Sequence, residues 1–169
     1  MRKIGRAVNR ILGGPGSGKG TQCELLLQEV NAEKPDAGPK TGASSSSLKL
    51  PSKLYHVNVG GLLRAELKRY NDQLASKSSI VTPFGKIISE QLSTGQILPS
   101  WVTISLMRQE LERITLIEGI DSAVTTSAIM IDGFPRSVEN FEEFERQILP
   151  ASRLIVLECD EQALVERGM

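Results

Sequence analysis

The stretch GGPGSGKGTQC, residues 13–23, places five glycines around one lysine near the start of a 169-residue chain. Glycine loses much conformational entropy when it is ordered, so such a cluster indicates a backbone that turns tightly or approaches a ligand closely. Gly13 to Lys19 fits G-x-x-x-x-G-K, in which backbone N–H groups surround phosphate oxygens and the lysine reaches the β- and γ-phosphates. A helix starting near Gly18 would add its positive N-terminal end. The stretch therefore predicts a site for a nucleoside triphosphate.

The segments around this loop predict the fold. Short apolar runs are typical of strands buried on both faces, and helical periodicity lies between them. The predicted strands are 7–13, 54–58, 128–131 and 154–157, and the predicted helices are 18–30, 61–70, 84–92, 100–117 and 138–148. Strands that alternate with helices favour a parallel sheet with helical crossovers. We expect an α/β chain with a three-layer P-loop NTPase fold, in which a central parallel sheet carries helices on both faces.

Composition narrows the class of partner. Twenty basic residues balance twenty acidic ones, and 40% of the chain is hydrophobic. This balance gives no electrostatic reason to expect nucleic acid or an anionic membrane as partner, and no apolar run reaches the roughly 18 residues of a membrane span. Cys23 and Cys159 are far apart in sequence, which favours two reduced, packed thiols. We expect a single cytoplasmic domain over residues 1–169, a monomer that binds small-molecule nucleotides.

Residues 31–52 break the pattern. They hold three prolines and the serine quartet 44–47, with almost no large apolar side chains. Such a composition is typical of a flexible surface insertion.

The loop also carries a family resemblance. Gly20 and Thr21 follow the lysine, so the usual G-K-[ST] ending is replaced by G-K-G-T, which resembles adenylate kinases and their nucleoside monophosphate kinase relatives. Four further blocks in the same order are similar to that family: HVNVGGLLRAEL (56–67), GQILPSWVTISLMRQEL (95–111), IMIDGFPRSVEN (129–140) and LIVLECDEQALVERG (154–168). The resemblance implies transfer of the γ-phosphoryl group from ATP, with Mg²⁺, to AMP or to UMP/CMP. The G-K-G-T ending and the absence of an N-K-x-D motif disfavour a GTPase.

The resemblance assigns roles to individual residues. Lys19, Arg64 and Arg136 are implied as catalytic, because arginine forks and lysine stabilise phosphoryl charge. ATP binding is implied for Gly16, Ser17, Gly18, Lys19, Gly20, Thr21 and Arg167. Contacts to the acceptor monophosphate are implied for Val59, Arg64, Gln96, Ile97, Leu98, Gly133, Phe134, Arg136 and Asn140, with the acceptor helices at about 59–98. Arg167 could equally be a solvated helix charge.

Asp132 ends an apolar strand, where a carboxylate could hold Mg²⁺ directly or through water. Capping of the following turn is the alternative role for Asp132. His56 is expected to be a buried hydrogen-bonding residue rather than a base. Trp101, Ile104, Met107 and Leu111 have the spacing of a helix packing face.

The acceptor base stays open. Asn140 and the TISL at 103–106 are similar to the UMP-CMP kinases, and Val59 lacks the hydroxyl that adenylate kinases carry at that position. LLRAEL and EEFERQI instead resemble cytosolic adenylate kinase. The family continues beyond the position of Met169 into a lid with a G-R-x-D-D motif and a last strand, which we expect to be absent here. Missing lid arginines would slow transfer and leave a sheet edge unpaired. The alternative function is therefore a catalytically impaired nucleotide-binding fragment or a regulatory relative.

Overall fold

A computed structural model describes residues 7–14, 16–32, 51, 53–79, 81–96, 98–117, 127–148, 150 and 152–168. These residues form four strands and six helices. In chain order they are β1 (Ala7–Leu12), α1 (Lys19–Asn31), β2 (Lys53–Asn58), α2 (Val59–Ala75), α3 (Gly85–Thr94), α4 (Ser100–Ile117), β3 (Ser127–Asp132), α5 (Val138–Gln147), β4 (Arg153–Val156) and α6 (Glu161–Gly168). Every strand and helix predicted from the apolar patterning is present.

The four strands form one parallel sheet in the order β2-β3-β1-β4. The chain leaves β1 toward β2, returns to β3, and then crosses β1 to reach β4. Ligands of open parallel sheets bind at the carboxyl ends of the strands where the winding direction reverses. The carboxyl ends of β1 and β3 lie side by side, with Ile11 opposite Asp132. The topology therefore places the glycine loop beside Asp132.

Apolar side chains cover both faces of the sheet. On one face the buried cluster consists of Ile11, Cys23, Leu54, Ala128 and Met130, so that α1 packs there. On the other face the buried cluster consists of Val8, Val57, Val59, Ile104, Met107, Leu111, Ile114, Ile129, Ile131, Phe134 and Phe144, which brings in α4 and α5. This arrangement confirms the predicted three layers.

A separate cluster holds α2 and α3 against α4. Ile88, Val102 and Leu106 are buried in it, with Leu63 and Leu67 packed against them. The predicted packing stripe of α4 is confirmed at Ile104, Met107 and Leu111, all buried. Trp101 differs, because it is 50% exposed. Its ring meets Phe84 edge-on with centroids 5.9 Å apart.

The predicted insertion 31–52 is wrong at its first residue. Asn31 is the last residue of α1. Its amide Nδ2 donates to the Leu54 carbonyl at 2.9 Å, and its Oδ1 accepts from the Leu54 N–H at 2.8 Å. This pair of hydrogen bonds to the Leu54 backbone fixes the end of α1 on β2. Residues 33–50 and 52 lie outside the described residues. No helix in the described parts of the chain combines the length and apolarity that a membrane crossing needs.

Candidate active site

The glycine loop joins β1 to α1 and wraps around the side chain of Lys19. The Lys19 ammonium donates to the carbonyls of Gly13 and Gly14, each at 2.8 Å. A Cβ on Gly13 would lie 2.8 Å from the Leu157 carbonyl oxygen, so a side chain does not fit there. Gly18 caps the helix with φ +83°, a left-handed conformation that favours glycine, and as the N-cap residue it supplies no side-chain hydrogen bond to the first turn. The loop therefore leaves the α1 N-terminus available to an anion.

A cleft of about 370 Å³ opens beside this loop. Its walls are formed by Leu12, Gly13, Lys19, Gly133, Pro135 and Arg136. Lys19 was predicted as a site residue from the glycine loop, and Gly133 and Arg136 from the block at 129–140, and the fold brings these two motifs to one cleft. A lysine and an arginine facing the same space supply the positive charge that phosphoryl groups require.

Asp132 lies at the carboxyl end of β3, next to Gly133 in the cleft wall. It is buried, with 7% of its surface exposed. Its Oδ2 lies 3.8 Å from His56 Nε2, and its Oδ1 has no hydrogen-bond partner among the described residues. His56 Nε2 is also buried without a hydrogen bond there, so the hydrogen-bonding role predicted for His56 is not seen at that atom.

Cys23 faces Asp132 from the first turns of α1. Burial, followed by the negative charge of Asp132, raises the pKa of the Cys23 thiol from 9.0 to about 11. The thiol is therefore neutral at neutral pH. Neither Cys23 nor Cys159 is in a disulfide, and Cys23 is buried, in line with the expected reduced thiols.

Arg136 and Asn140 are linked at the start of α5. The Arg136 N–H donates to Asn140 Oδ1 at 3.3 Å, while the Asn140 Nδ2 donates to Ser100 Oγ at 2.6 Å. The bond to Ser100 ties α5 to α4, and the bond from Arg136 holds the loop before α5. A contact from Asn140 to an acceptor base would use the second Nδ2 hydrogen or the second lone pair of Oδ1.

The other residues implied for the acceptor lie outside the lining of this cleft. Val59 is buried at the start of α2, and Arg64 is exposed on the same helix. Gln96 is exposed, and Leu98 is partly buried against the α2–α3–α4 cluster. Phe134 is fully buried against Phe144, with ring centroids 5.4 Å apart. Ile97 and the side chain of Arg167 lie outside the described residues.

The AAA domain family matches residues 12–169 of the chain. The chain belongs to this family. The AAA domain is 30% identical over 160 residues to the UMP-CMP kinase of Xenopus tropicalis, which covers 93% of the chain and 63% of that protein. It is 29% identical over 157 residues both to the uridylate kinase of Saccharomyces cerevisiae and to adenylate kinase isoenzyme 1 of Bos taurus. These matches cover 93% of the chain in both cases, with 58% and 60% of those relatives.

These relatives support the resemblance to nucleoside monophosphate kinases that the motifs indicate. The chain spans roughly three-fifths of the length of the relatives it matches, from 58% to 63%.

Sequence reasoning missed the surroundings of Asp132. Cys23, His56 and Asp132 come from three different elements, and no single motif contains them. Strand alternation could have indicated the contact, because His56 shares a face with Leu54, and Asp132 with Met130. The cis peptide bond between Phe134 and Pro135 was also not predicted.

Proposed function

We propose that this AAA domain transfers the γ-phosphoryl group of ATP to a nucleoside monophosphate, either AMP or UMP/CMP. The observation that carries the proposal is the single cleft lined by both Lys19 and Arg136. The names of the relatives, UMP-CMP kinase, uridylate kinase and adenylate kinase, support the same reaction. We further propose that the domain acts as a monomer on diffusible nucleotides in the cytoplasm.

Lys19 and the loop backbone would hold the donor triphosphate. To do so, the Lys19 ammonium exchanges its bonds to the Gly13 and Gly14 carbonyls for bonds to phosphate oxygens. The exchange preserves hydrogen bonding while adding charge attraction, which makes it favourable. The α1 N-terminus, with no side-chain cap, would contribute its N–H groups to the same phosphates.

Arg136 would bind the phosphate of the acceptor. Its side chain is exposed, and its Nε donates to the Gly133 carbonyl at 3.2 Å. That bond turns the guanidinium along the cleft wall and leaves its terminal nitrogens for a phosphate. An oxygen of the acceptor phosphate then attacks the γ-phosphorus, and the bond from that phosphorus to the bridging oxygen of ADP breaks. Positioning the two phosphates is the main task of the protein in this reaction.

Asp132 fits a site for Mg²⁺. Its buried Oδ1 lacks a hydrogen bond among the described residues, and carboxylate oxygen is a donor that Mg²⁺ prefers. When bound, Mg²⁺ neutralises charge on the β- and γ-phosphates. Asp132 would hold the ion directly or through water.

A product assay of the purified chain with Mg-ATP and AMP, UMP, CMP or dAMP in parallel tests the proposal. We expect a diphosphate product with at least one acceptor. Measurable ATP affinity without turnover on any of the four would favour the nucleotide-binding alternative. Absence of any interaction with ATP or ADP in calorimetry of the folded chain would overturn both.

Two substitutions distinguish the binding of ATP from the binding of the acceptor. Lys19→Ala should abolish ATP binding. Arg136→Ala should leave ATP affinity unchanged and weaken acceptor binding by about 10- to 100-fold, because a charged hydrogen bond worth roughly 1.5–3 kcal/mol is lost. Arg146→Ala is the matched control, because Arg146 is exposed on α5 and pairs with Glu143. It should leave both affinities unchanged. Equal losses of ATP affinity and acceptor affinity in Arg136→Ala would contradict the assignment of Arg136 to the acceptor phosphate.

A further inference from the structure

Three side chains of different chemistry meet between the sheet and α1. Cys23 comes from α1, His56 from β2 and Asp132 from β3. The Cys23 sulfur, a His56 ring nitrogen and an Asp132 carboxylate oxygen all lie within 4.8 Å of one another. We call these residues the Cys-His-Asp cluster. Its three members sit on the face of the sheet where Leu54 and Met130 pack with Cys23.

Two polar atoms of the cluster have no hydrogen bond among the described residues. They are His56 Nε2 and Asp132 Oδ1, and both are buried. The Asp132 side chain is only 9% exposed, and its separation of 3.8 Å from the His56 ring is too long for a hydrogen bond. Buried polar atoms in folded proteins are nearly always bonded, so two unpartnered atoms beside one another call for a ligand.

The donor set selects the kind of ligand. Thiolate sulfur, imidazole nitrogen and carboxylate oxygen are the ligands of zinc-class ions, whereas Mg²⁺ takes oxygen. Ligand atoms on one zinc ion lie roughly 3–4 Å apart, given bond lengths of about 2.0–2.3 Å. The cluster is therefore within a small inward movement of that geometry. Three protein ligands leave a fourth position for water.

We propose that the Cys-His-Asp cluster binds a divalent cation of the zinc class. As the bond between the metal and Cys23 forms, the thiol proton passes to solvent. A consequence rests on the proposed function: the bound ion occupies the carboxylate that Mg²⁺ would use, so zinc should inhibit phosphoryl transfer. The cluster would thus link phosphoryl transfer to the level of free zinc.

Cobalt titration of the full chain tests the site without any measurement of activity. Co²⁺ bound by a thiolate absorbs in the near ultraviolet through sulfur-to-metal charge transfer. We expect this band to rise to one equivalent and to be displaced by Zn²⁺. Cys23→Ser should lose the band, and His56→Gln should weaken the affinity at least tenfold. Cys159→Ser is the matched control and should keep the band.

Either of two results would overturn the site. One is absence of the band in the wild-type chain. The other is a band that survives in Cys23→Ser and disappears in Cys159→Ser. If Cys23→Ser fails to fold by circular dichroism, X-ray absorption of the zinc-loaded wild-type chain decides. One sulfur neighbour with nitrogen or oxygen neighbours supports the cluster, and a shell without sulfur excludes it.

Activity separates the inference from the proposed function. With excess Mg-ATP and acceptor, zinc at its measured affinity should inhibit the wild type and Cys159→Ser, and should inhibit Cys23→Ser at least tenfold less. A cobalt band in a chain that turns over no acceptor would leave the site standing and remove the kinase proposal. Turnover without any cobalt band would leave the kinase proposal standing and remove the metal site. Band and turnover together, without zinc inhibition, would remove only the inhibitory consequence.

Discussion

Arg10 is the residue that agrees least with a simple reading of the sequence. It lies in the middle of β1 and is only 1% exposed. Its guanidinium carbon stands 4.8 Å from the centre of the Phe141 ring and 4.6 Å from that of Phe144, and its Nη2 lies 3.1 Å from Glu145 Oε1. Burial lowers the pKa of Arg10, and the charge of Glu145 partly offsets this. Arginine remains charged at any working pH, so the protein depends on Glu145 and the two rings to solvate this charge.

Glu145→Ala should therefore destabilise the chain. Removing the partner leaves a buried charge, and we expect a loss of about 1–3 kcal/mol in the free energy of unfolding, since Glu145 itself is partly exposed. Urea unfolding measures this loss. Glu142→Ala, an exposed glutamate on the same helix, is the control and should change stability by less than about 0.5 kcal/mol. Similar losses in both variants would show that the Arg10 pair does not contribute.

At the same scale, the motifs specify some contacts of the predicted site residues and not others. Lys19, at the start of α1, lines one cleft with Gly133 and Arg136, which lie in the loop after β3. The base contact of Asn140 stays a prediction, and the structure adds a hydrogen bond from its amide to Ser100, 40 residues away in the chain. A motif does not specify such a distant partner, which follows only from the packing of α4 on α5.

The helices α2 and α3 show how one small residue sets the distance between two elements. Gly85 is buried at the start of α3, and a Cβ added there would lie 2.3 Å from Tyr70 Cβ and 2.6 Å from Thr82 Oγ1. The first contact is far shorter than carbon atoms tolerate, and Tyr70 Cβ is fixed to the α2 backbone. α3 therefore approaches α2 so closely only because residue 85 is glycine.

Gly85→Ala should push α3 away from α2 and lower the free energy of unfolding by about 1–3 kcal/mol, although alanine is the better helix former. Thermal unfolding gives the measurement. Lys86→Ala serves as the comparison, because Lys86 is exposed in the same turn and makes only a 3.8 Å ion pair to Glu90. A more stable Gly85→Ala chain would mean that the helices do not pack as described.

Element boundaries were predictable where packing and local signals agree. The apolar runs located all four strands. The expected burial on both faces is wrong for β4, whose residues are all exposed, whereas β3 is buried along its whole length. The start of α2 was placed at residue 61, but the helix begins at Val59, since Asn58 Oδ1 accepts from the Gly61 N–H at 2.7 Å and caps it. Two glycines in the first turn concealed this start. The end of α1 was placed before Asn31 for a similar reason, as its bonds to β2 are tertiary.

At the scale of the whole molecule, the two edge strands of the described sheet differ in exposure. β4 forms one edge of the described sheet, and all of its residues are exposed. Leu154, Ile155 and Val156 are 57%, 40% and 55% exposed. An apolar edge strand with free backbone groups on one side is a template for pairing with another chain. The opposite edge, β2, carries Asn31 against its first residues and two buried positions, Leu54 and Val57.

We expect the chain to be monomeric at low concentration. This difference between the edges predicts that its self-association at high concentration begins at β4. Leu154→Lys should suppress it, because a lysine on an edge strand opposes strand pairing. Sedimentation velocity across a concentration series would show a lower average mass for this variant, with ATP affinity unchanged because Leu154 is not in the cleft lining. Leu116→Lys removes a leucine that is 80% exposed at the end of α4 and should associate like the wild type. If both lysine variants lower the mass equally, general surface apolarity rather than the sheet edge drives association, and a wild type that stays monomeric throughout would show that the edge is protected.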